Sequence, residues 1–304
     1  MPSSLFARLA RTSRRRVFRA LAVALVALPL GVGIGGCASN PPLPPKAIAL
    51  NGAGAVALAN GNLELAYARL ALALEYNPRF TEAWVNLGLV EERRGNFDLA
   101  RRDFVKARDL NPDLPAPHHA LGVLADAEGH TAEAEKLYRA ALKVDPGFAP
   151  ARINLARRLF ARGDFEEARE HFLRLTQVAP DALDGWTGLC ETLLKLDRRD
   201  DARAVAGHAR EAFGDLPAIA LLEARFLLFD GRYDDAAKAL EPLASRANRP
   251  QKVEALAWLA VARLGEGDVA GATDAAERAT SLDPDDAVAR YALRTARDAH
   301  GARR

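Results

Sequence analysis

The 304-residue sequence predicts an all-α fold built from a helical repeat. Glycine returns every 34 residues, proline returns on the same period in a second register, and no strand pattern competes with the helical one. The glycine series skips Asp197, and its last member arrives two residues late. The glycines are Gly61, Gly95, Gly129, Gly163, Gly231 and Gly267, and the prolines are Pro78, Pro112, Pro146, Pro180 and Pro284.

Each period holds two amphipathic segments, such as residues 81–94 and 98–110, with apolar residues at i, i+3, i+4 and i+7. The glycine tolerates the left-handed conformation that closes the first helix. The residue after it, as in Asn62, Asn96 and Asp164, is predicted to cap the second helix. The proline then stops that second helix, because it lacks a donor and disfavours helix in the residue before it.

The residues within one period resemble the tetratricopeptide repeat (TPR) family. With residue 81 as position 1, the second period matches the family pattern at positions 4, 7, 8, 15, 20, 24, 27 and 32, and Glu91 stands where an aromatic is usual. These residues are Trp84, Leu87, Gly88, Gly95, Ala100, Phe104, Ala107 and Pro112. Position 20 is alanine in all seven periods, as Ala66, Ala100, Ala134, Ala168, Ala202, Ala236 and Ala272.

The resemblance covers residues 47–286 and implies an α–α solenoid, a right-handed superhelix of about seven helix–turn–helix repeats. Residues 287–304 are predicted to form a capping helix and tail that cover the last repeat. The predicted repeats are 47–80, 81–114, 115–148, 149–182, 183–216, 217–252 and 253–286.

Repeats five and six depart from the pattern. Asp197 replaces the turn glycine, Gly214 stands where proline is expected, and Glu223 takes a normally buried position that is leucine in repeats two to five. Pro242 falls inside the second helix of repeat six and should shorten or kink it. Residues 245–251 are expected to form a loosened connection. Drift in a tolerant array and a functional hinge are both open interpretations.

Residues 1–36 are predicted to be a lipoprotein signal peptide. Six arginines and no acid precede an apolar run at residues 20–34, an order typical of export signals. Ile34, Gly35, Gly36 and Cys37 resemble the bacterial lipoprotein box, which implies a lipidated Cys37. A plain secretory signal with an incidental cysteine is the alternative, and both the general and the twin-arginine export routes stay open.

Residues 37–46 are predicted to be the lipidated cysteine and a proline-rich spacer. At about 3.1 Å per residue, residues 38–46 would hold the repeats roughly 28 Å from the membrane surface. The lack of an aspartate after Cys37 implies, by the same resemblance, delivery to the bacterial outer membrane, with the periplasmic face expected. The protein is therefore expected to be anchored to a membrane by lipid and not to span it.

Charge and reactive residues argue against several function classes. Removing the six leader arginines leaves 36 Lys and Arg against 40 Asp and Glu, a formal charge of −4, so no nucleic-acid partner is expected. His118 and His119 are adjacent and point about 100° apart on a helix, so no metal site is expected. Cys190 is predicted to be a buried packing residue. No catalytic motif appears, so neither an enzyme activity, a cofactor nor a small-molecule substrate is expected.

The TPR resemblance implies that the first helix of each repeat lines a concave groove for a protein partner. Asn86 and Asn154 occupy the position where peptide-binding members often place an asparagine that bonds a ligand backbone. An apolar run beside them suggests a site for an extended or helical segment, although the curvature of the array could also cover it. The predicted groove residues are Val85, Asn86, Leu89, His119, Val123, Ile153, Asn154, Arg157 and Arg225, with Glu191, Lys195 and Trp258 on equivalent positions of later repeats.

The leading functional hypothesis is a non-enzymatic scaffold that binds protein partners in the periplasm or outer membrane and helps to assemble an envelope machine. The architecture is similar to that of the pilotin lipoproteins, which assist the secretins of type IV pili. A structural adaptor in exopolysaccharide export and a regulator of a cell-wall enzyme are the alternatives.

Overall fold

The computed structural model describes residues 42–301, which form fifteen helices with no strand in that range. Residues 1–36, Cys37 and residues 38–41 of the predicted spacer lie outside the described residues. The spacer ends earlier than predicted, because Pro45 and Lys46 already belong to the first helix. None of the described helices combines the length and apolar character needed to cross a membrane. The helices are α1 (Pro45–Ala59), α2 (Leu63–Tyr76), α3 (Thr81–Arg93), α4 (Phe97–Leu110), α5 (Pro115–Ala127), α6 (Thr131–Val144), α7 (Ala149–Arg162), α8 (Phe165–Val178), α9 (Leu183–Lys195), α10 (Arg199–Phe213), α11 (Pro217–Phe229), α12 (Tyr233–Arg246), α13 (Arg249–Glu266), α14 (Val269–Leu282) and α15 (Ala287–Gly301).

The first fourteen helices form seven pairs in chain order, and α15 packs on α13 and α14. First helices of successive repeats also touch one another, as α1 touches α3 and α11 touches α13. Second helices are joined through long side chains, as in the 2.7 Å ion pair between Arg139 on α6 and Glu167 on α8. The first helices therefore lie on the inner side of the curve, and the predicted α–α solenoid is confirmed.

The turn between the helices of each pair uses the left-handed conformation that the glycine series predicts. The six periodic glycines have φ between 72° and 94°. In the break of the series, Asp197 takes the same conformation with φ of 55°, and it is the one non-glycine residue with positive φ in residues 42–301. The turn is therefore kept in repeat five at the cost of backbone strain.

The predicted capping by the residue after the glycine is only partly correct. Asn62 accepts a hydrogen bond from the amide of Leu65 (3.2 Å), whereas Asn96 and Asp164 make no side-chain bond to a helix amide. The Asn96 amide instead donates to the Glu91 carboxylate (2.7 Å), and Asp164 pairs with Arg162. A nearby charged group outcompetes the free helix amides at these two turns.

Small residues stand where aromatic rings press on the backbone of the first helix. A Cβ added to Gly88 would lie 2.5 Å from the ring of Phe104, and one added to Gly122 would lie 2.6 Å from that of Tyr138. All seven alanines at position 20 are completely buried. These contacts set the close approach of the two helices within each repeat.

The prolines at position 32 have a second role that the sequence pattern did not reveal. The side chain at position 4 of the next repeat reaches back to the proline carbonyl, six residues earlier. Trp84 donates to Pro78 (2.9 Å), Trp186 to Pro180 (3.0 Å), His118 Nε2 lies 3.1 Å from the Pro112 oxygen, and Arg152 donates to Pro146. Each bond fixes the joint between one repeat and the next.

The expectation for Pro242 is wrong with respect to length. Helix α12 runs through Pro242 and has 14 residues, as α6 and α8 do. Pro242 is exposed, so the carbonyl that loses its partner can be solvated. The expected loosened connection is also absent from the described chain, because only Ala247 and Asn248 separate α12 from α13, and Asn248 caps the latter through the amide of Gln251 (3.2 Å).

The sparsest packing between consecutive helices of the described chain lies between α10 and α11. Glu223 stands there at the leucine position and is only partly buried, in an ion pair with Arg210 (3.0 Å). Arg210 also pairs with Asp215 in the connection (2.9 Å). The irregularity of repeats five and six is therefore concentrated at this junction and not at Pro242.

Candidate functional site

The predicted groove residues all lie on first helices, but they differ in how much surface they offer. Val85 is 9 % exposed and packs with Phe104 in the core. Leu89, Val123 and Ile153 are half-buried and contact the core from its inner side. Arg157 is exposed and pairs with Asp184 of the next repeat (2.6 Å). The inner surface is thus apolar at its base and charged at its edge.

The two predicted backbone-binding asparagines bond to neighbouring repeats. Asn86 donates to the side chain of Asn51 (2.9 Å), and Asn154 Nδ2 lies 3.0 Å from Nε2 of His119. Both bonds span 35 residues and join position 5 of one repeat to position 6 of the next. Because of these bonds, part of the hydrogen-bonding capacity of each asparagine already stabilises the stacking of repeats. Both asparagines are also half-buried.

His119 lies in an aromatic recess on this surface. Its ring centroid is 5.9 Å from that of Tyr138 and 5.7 Å from that of Phe148. Burial lowers the pKa of His119 to about 4, so the ring is neutral at pH 7. A neutral ring can accept the hydrogen bond of Asn154 at Nε2, which fits the geometry.

Arg225 is the most enclosed charged residue among the predicted groove residues. Its guanidinium pairs with Glu191 one repeat earlier and lies 3.9 Å from the Glu254 carboxylate one repeat later. It also stacks over the ring of Trp258, 5.1 Å from the centroid. One cation is thus shared by two carboxylates and covers one face of an indole.

These residues form one wall of a cleft of about 610 Å³ at the end of the inner surface. Sequence reasoning named Glu191, Lys195, Arg225 and Trp258 but missed Arg249, Glu254 and Asp286. The signal that could have revealed them is the two-residue delay of Gly267, because α13 is 18 residues long and begins a turn before the predicted repeat boundary. The cleft is lined by Glu191, Lys195, Arg225, Arg249, Pro250, Val253, Glu254, Ala257, Trp258, Leu282, Asp283, Asp286 and Val288.

Cys190 is the one cysteine of residues 42–301, and it lies in the core. Cys190 is completely buried, its Sγ lies 3.4 Å from the carbonyl of Ala202, and burial raises the pKa of the thiol to about 12. It is therefore a packing residue, as predicted. Within residues 42–301, no three His, Cys, Asp or Glu side chains are placed to hold a metal ion.

A helical solenoid with a continuous inner surface defines a class of proteins that present extended binding surfaces. Two family models, both described as tetratricopeptide repeat, match the chain, one at residues 51–115 and 221–287 and the other at 125–184 and 159–226. The chain belongs to the tetratricopeptide repeat family. Proteins of this fold are generally non-catalytic scaffolds for protein–protein interaction.

Solved structures share this fold at low sequence identity. A tetratricopeptide repeat protein from Parabacteroides merdae is 15 % identical, with a TM-score of 0.58 over 83 % of this chain and 98 % of that one. The pilF protein of Pseudomonas aeruginosa is 22 % identical, with a TM-score of 0.57 over 69 % of this chain and 95 % of that one. No curated protein matches the chain significantly. These likenesses show the fold alone.

Proposed function

We propose that the protein is a non-enzymatic scaffold that binds a protein partner along its inner surface. The observation that carries the proposal is the continuity of this surface, which the first helices of successive repeats form by packing on one another or, between α5 and α7, through the bond of Asn154 to His119. The surface offers half-buried apolar side chains beside exposed charges such as Arg157. This combination suits a peptide or helix of another protein, which needs apolar contact for affinity and charges for register.

We further propose that the scaffold is held at the bacterial outer membrane by lipid on Cys37 and assists assembly of an envelope machine, as pilotins do for secretins. The residues Ile34 to Cys37 support lipidation, and the arginine-rich, apolar leader supports export. Anchoring would confine the scaffold to the membrane surface and raise its effective concentration near membrane partners. The fold likeness to the pilF protein is compatible with this role but carries only the fold.

Site-specific photocrosslinking in the native host tests the surface and the partner together. A photoreactive amino acid replaces Arg157 on the inner surface or, as a matched control, Arg139 on the outer surface. Both arginines are exposed and both pair with an acid of the following repeat. We expect a crosslink to the secretin from position 157 and none from position 139, together with fewer secretin multimers in a deletion strain.

Other results would contradict parts of the proposal. Equal crosslinking from both positions would show that the inner surface is not the binding face. A crosslink from position 157 to a component of polysaccharide export, or to a cell-wall enzyme, would keep the scaffold role and replace the pilotin-like one by the corresponding alternative. No crosslink from any inner position would contradict the scaffold itself.

A further inference from the structure

The cleft at the end of the inner surface differs in build from the rest of that surface. Helices α9, α11 and α13 supply one side, and the connection from α14 to α15 supplies the other. The early start of α13 adds Arg249 and Pro250 as a further wall. A cleft of about 610 Å³ has room for one or two side chains of a partner segment.

The lining of the cleft combines an apolar base with an excess of carboxylates. Val253, Ala257 and Val288 give apolar surface beside the indole of Trp258. The lining contains four carboxylates and three cations, and two of the cations already have partners. The carboxylates belong to Glu191, Glu254, Asp283 and Asp286, and the cations to Lys195, Arg225 and Arg249. Arg225 is shared by Glu191 and Glu254, and Arg249 donates to the backbone carbonyl of Leu282 (2.9 Å).

The carboxylates are not neutralised to the same extent. Glu254 lies 3.9 Å from the guanidinium of Arg225, which also pairs with Glu191. Asp286 accepts the amide of Ala289 (2.7 Å) as the cap of α15, and Asp283 accepts that of Asp285 (3.0 Å). Burial, and to a lesser degree the charges of Glu191 and Asp286, raise the pKa of Glu254, while Arg225 opposes the shift. An additional positive charge near Glu254 would therefore be favoured.

We propose that this cleft binds a lysine or arginine side chain of an extended partner segment, with flanking apolar side chains of the segment on Val253, Ala257 and Val288. The inference rests on the proposed scaffold function and names the chemistry of its partner at one end of the inner surface. The incoming cation pairs with Glu254 and is attracted by Asp286. An acidic segment is disfavoured, because the four carboxylates of the lining outnumber its three cations, and two of those cations, Arg225 and Arg249, are already bonded.

Tryptophan signals give a direct test in the intact protein. The chain has three tryptophans, so ¹⁵N labelling of tryptophan gives three indole signals. Trp84 and Trp186 do not line the cleft and are hydrogen-bonded at earlier repeat joints, so they serve as internal controls. The probes are three five-residue peptides of alternating valine and a variable residue, which is lysine, glutamine or glutamate.

We expect the lysine peptide to shift the Trp258 signal in a saturable way and to leave the other two signals in place. Glu254→Gln should weaken this binding about tenfold, because it removes a charge-assisted hydrogen bond. The matched control is Glu82→Gln, since Glu82 holds the same repeat position on α3 and is exposed. It should leave the affinity unchanged. Unchanged Trp84 and Trp186 signals in each variant show that the fold is intact.

The inference is overturned if the glutamate peptide shifts Trp258 as strongly, if no peptide shifts it, or if Glu254→Gln binds as tightly as the parent. Equal shifts of all three signals would show non-specific binding and would overturn it as well. Photocrosslinking from position 157 reports independently on the scaffold function. A crosslink without lysine-peptide binding would thus remove the inference on the cleft and leave the proposed function.

Discussion

At the scale of single residues, Asp197 shows that the turn is imposed by the helices that it joins. With φ of 55° it adopts the conformation of the periodic glycines and pairs with Arg199 across two residues (3.0 Å). Asp197→Gly should stabilise the protein by about 0.5–1 kcal/mol, because relief of left-handed strain exceeds the added entropy of the unfolded chain. Urea unfolding measures the effect.

The reverse change is the control. Gly163 has φ of 94° and open space around the site of a Cβ, so Gly163→Ala tests backbone strain without any clash. It should destabilise the protein by about 1–2 kcal/mol. If both substitutions shift the unfolding midpoint in the same direction, strain at the turn is not the controlling term.

His119 predicts a pH dependence of stability. Its pKa is about 4 in the folded protein and 6.5 ordinarily, so the unfolded chain takes up a proton first as the pH falls. The contribution of His119 to the free energy of unfolding is therefore fully present above pH 6.5 and is lost as the pH falls towards 4. In His119→Gln the decline from pH 7 to 4 should be smaller by on the order of 1 kcal/mol, as urea unfolding at each pH would show. His171, whose pKa burial also lowers, is present in both proteins and cancels. Equal declines would contradict the assignment.

Burial of single residues could be predicted from the sequence where the repeat period alone determines the surroundings of a side chain. The alanines at position 20 and Cys190 at position 8 could be recognised as buried, because every repeat places these positions between the same two helices. The partners of Asn86 and Asn154 could not be recognised. They depend on the register of one repeat against the next, which determines that position 5 meets position 6.

At the scale of helices, the bond from position 4 to the proline carbonyl should contribute to stability. Trp186→Phe keeps most of the ring contact and removes the donor to Pro180. The expected cost is about 1 kcal/mol, the usual net value of one hydrogen bond. Tyr291→Phe is the control, since it removes a polar group from a ring that is 56 % exposed. Equal unfolding free energies of the two variants would show that the bond to Pro180 contributes nothing.

Hydrogen exchange should distinguish the helix junctions. Amides of α3 to α8 should exchange slowly, and those around Gly214 should exchange fastest among the inter-helix junctions, because α10 and α11 pack most sparsely. The connection from α12 to α13 should be protected, because Asn248 caps α13 and the two helices pack extensively. Faster exchange at residues 242–250 than at 213–217 would contradict this order and restore the interpretation drawn from Pro242.

The helices were predictable because glycine and proline mark their ends, and the errors fall where those marks fail. The start of α13 was placed too late, since neither residue marks the extra turn that begins at Arg249. Pro242 was over-interpreted, since its cost depends on whether it faces water. The first of these errors explains why the cleft was not predicted. One of its walls is the extra turn of α13 that begins at Arg249, and the regular period does not contain that turn.

At the scale of the whole molecule, lipidation of Cys37 is the prediction on which the proposed membrane role depends. Cys37→Ser should abolish labelling by an alkyne fatty acid and leave a soluble or uncleaved form. Cys190→Ser is the matched control and should keep the label, because that thiol is completely buried. Persistent labelling of Cys37→Ser would contradict the lipoprotein interpretation.

The proline-carbonyl bonds also determine how the array would respond to mechanical load. They occur at four successive joints, from Pro78 to Trp186, and the equivalent position holds Ala220 in repeat six and Leu256 in repeat seven. A force applied between the two ends of the array is therefore resisted at each early joint by a bond from the first helix of one repeat to the connection that precedes it. The array should extend first between α10 and α11, so that repeats one to five would behave as one stiff arm and the last two repeats as another, with the cleft spanning the compliant junction between them.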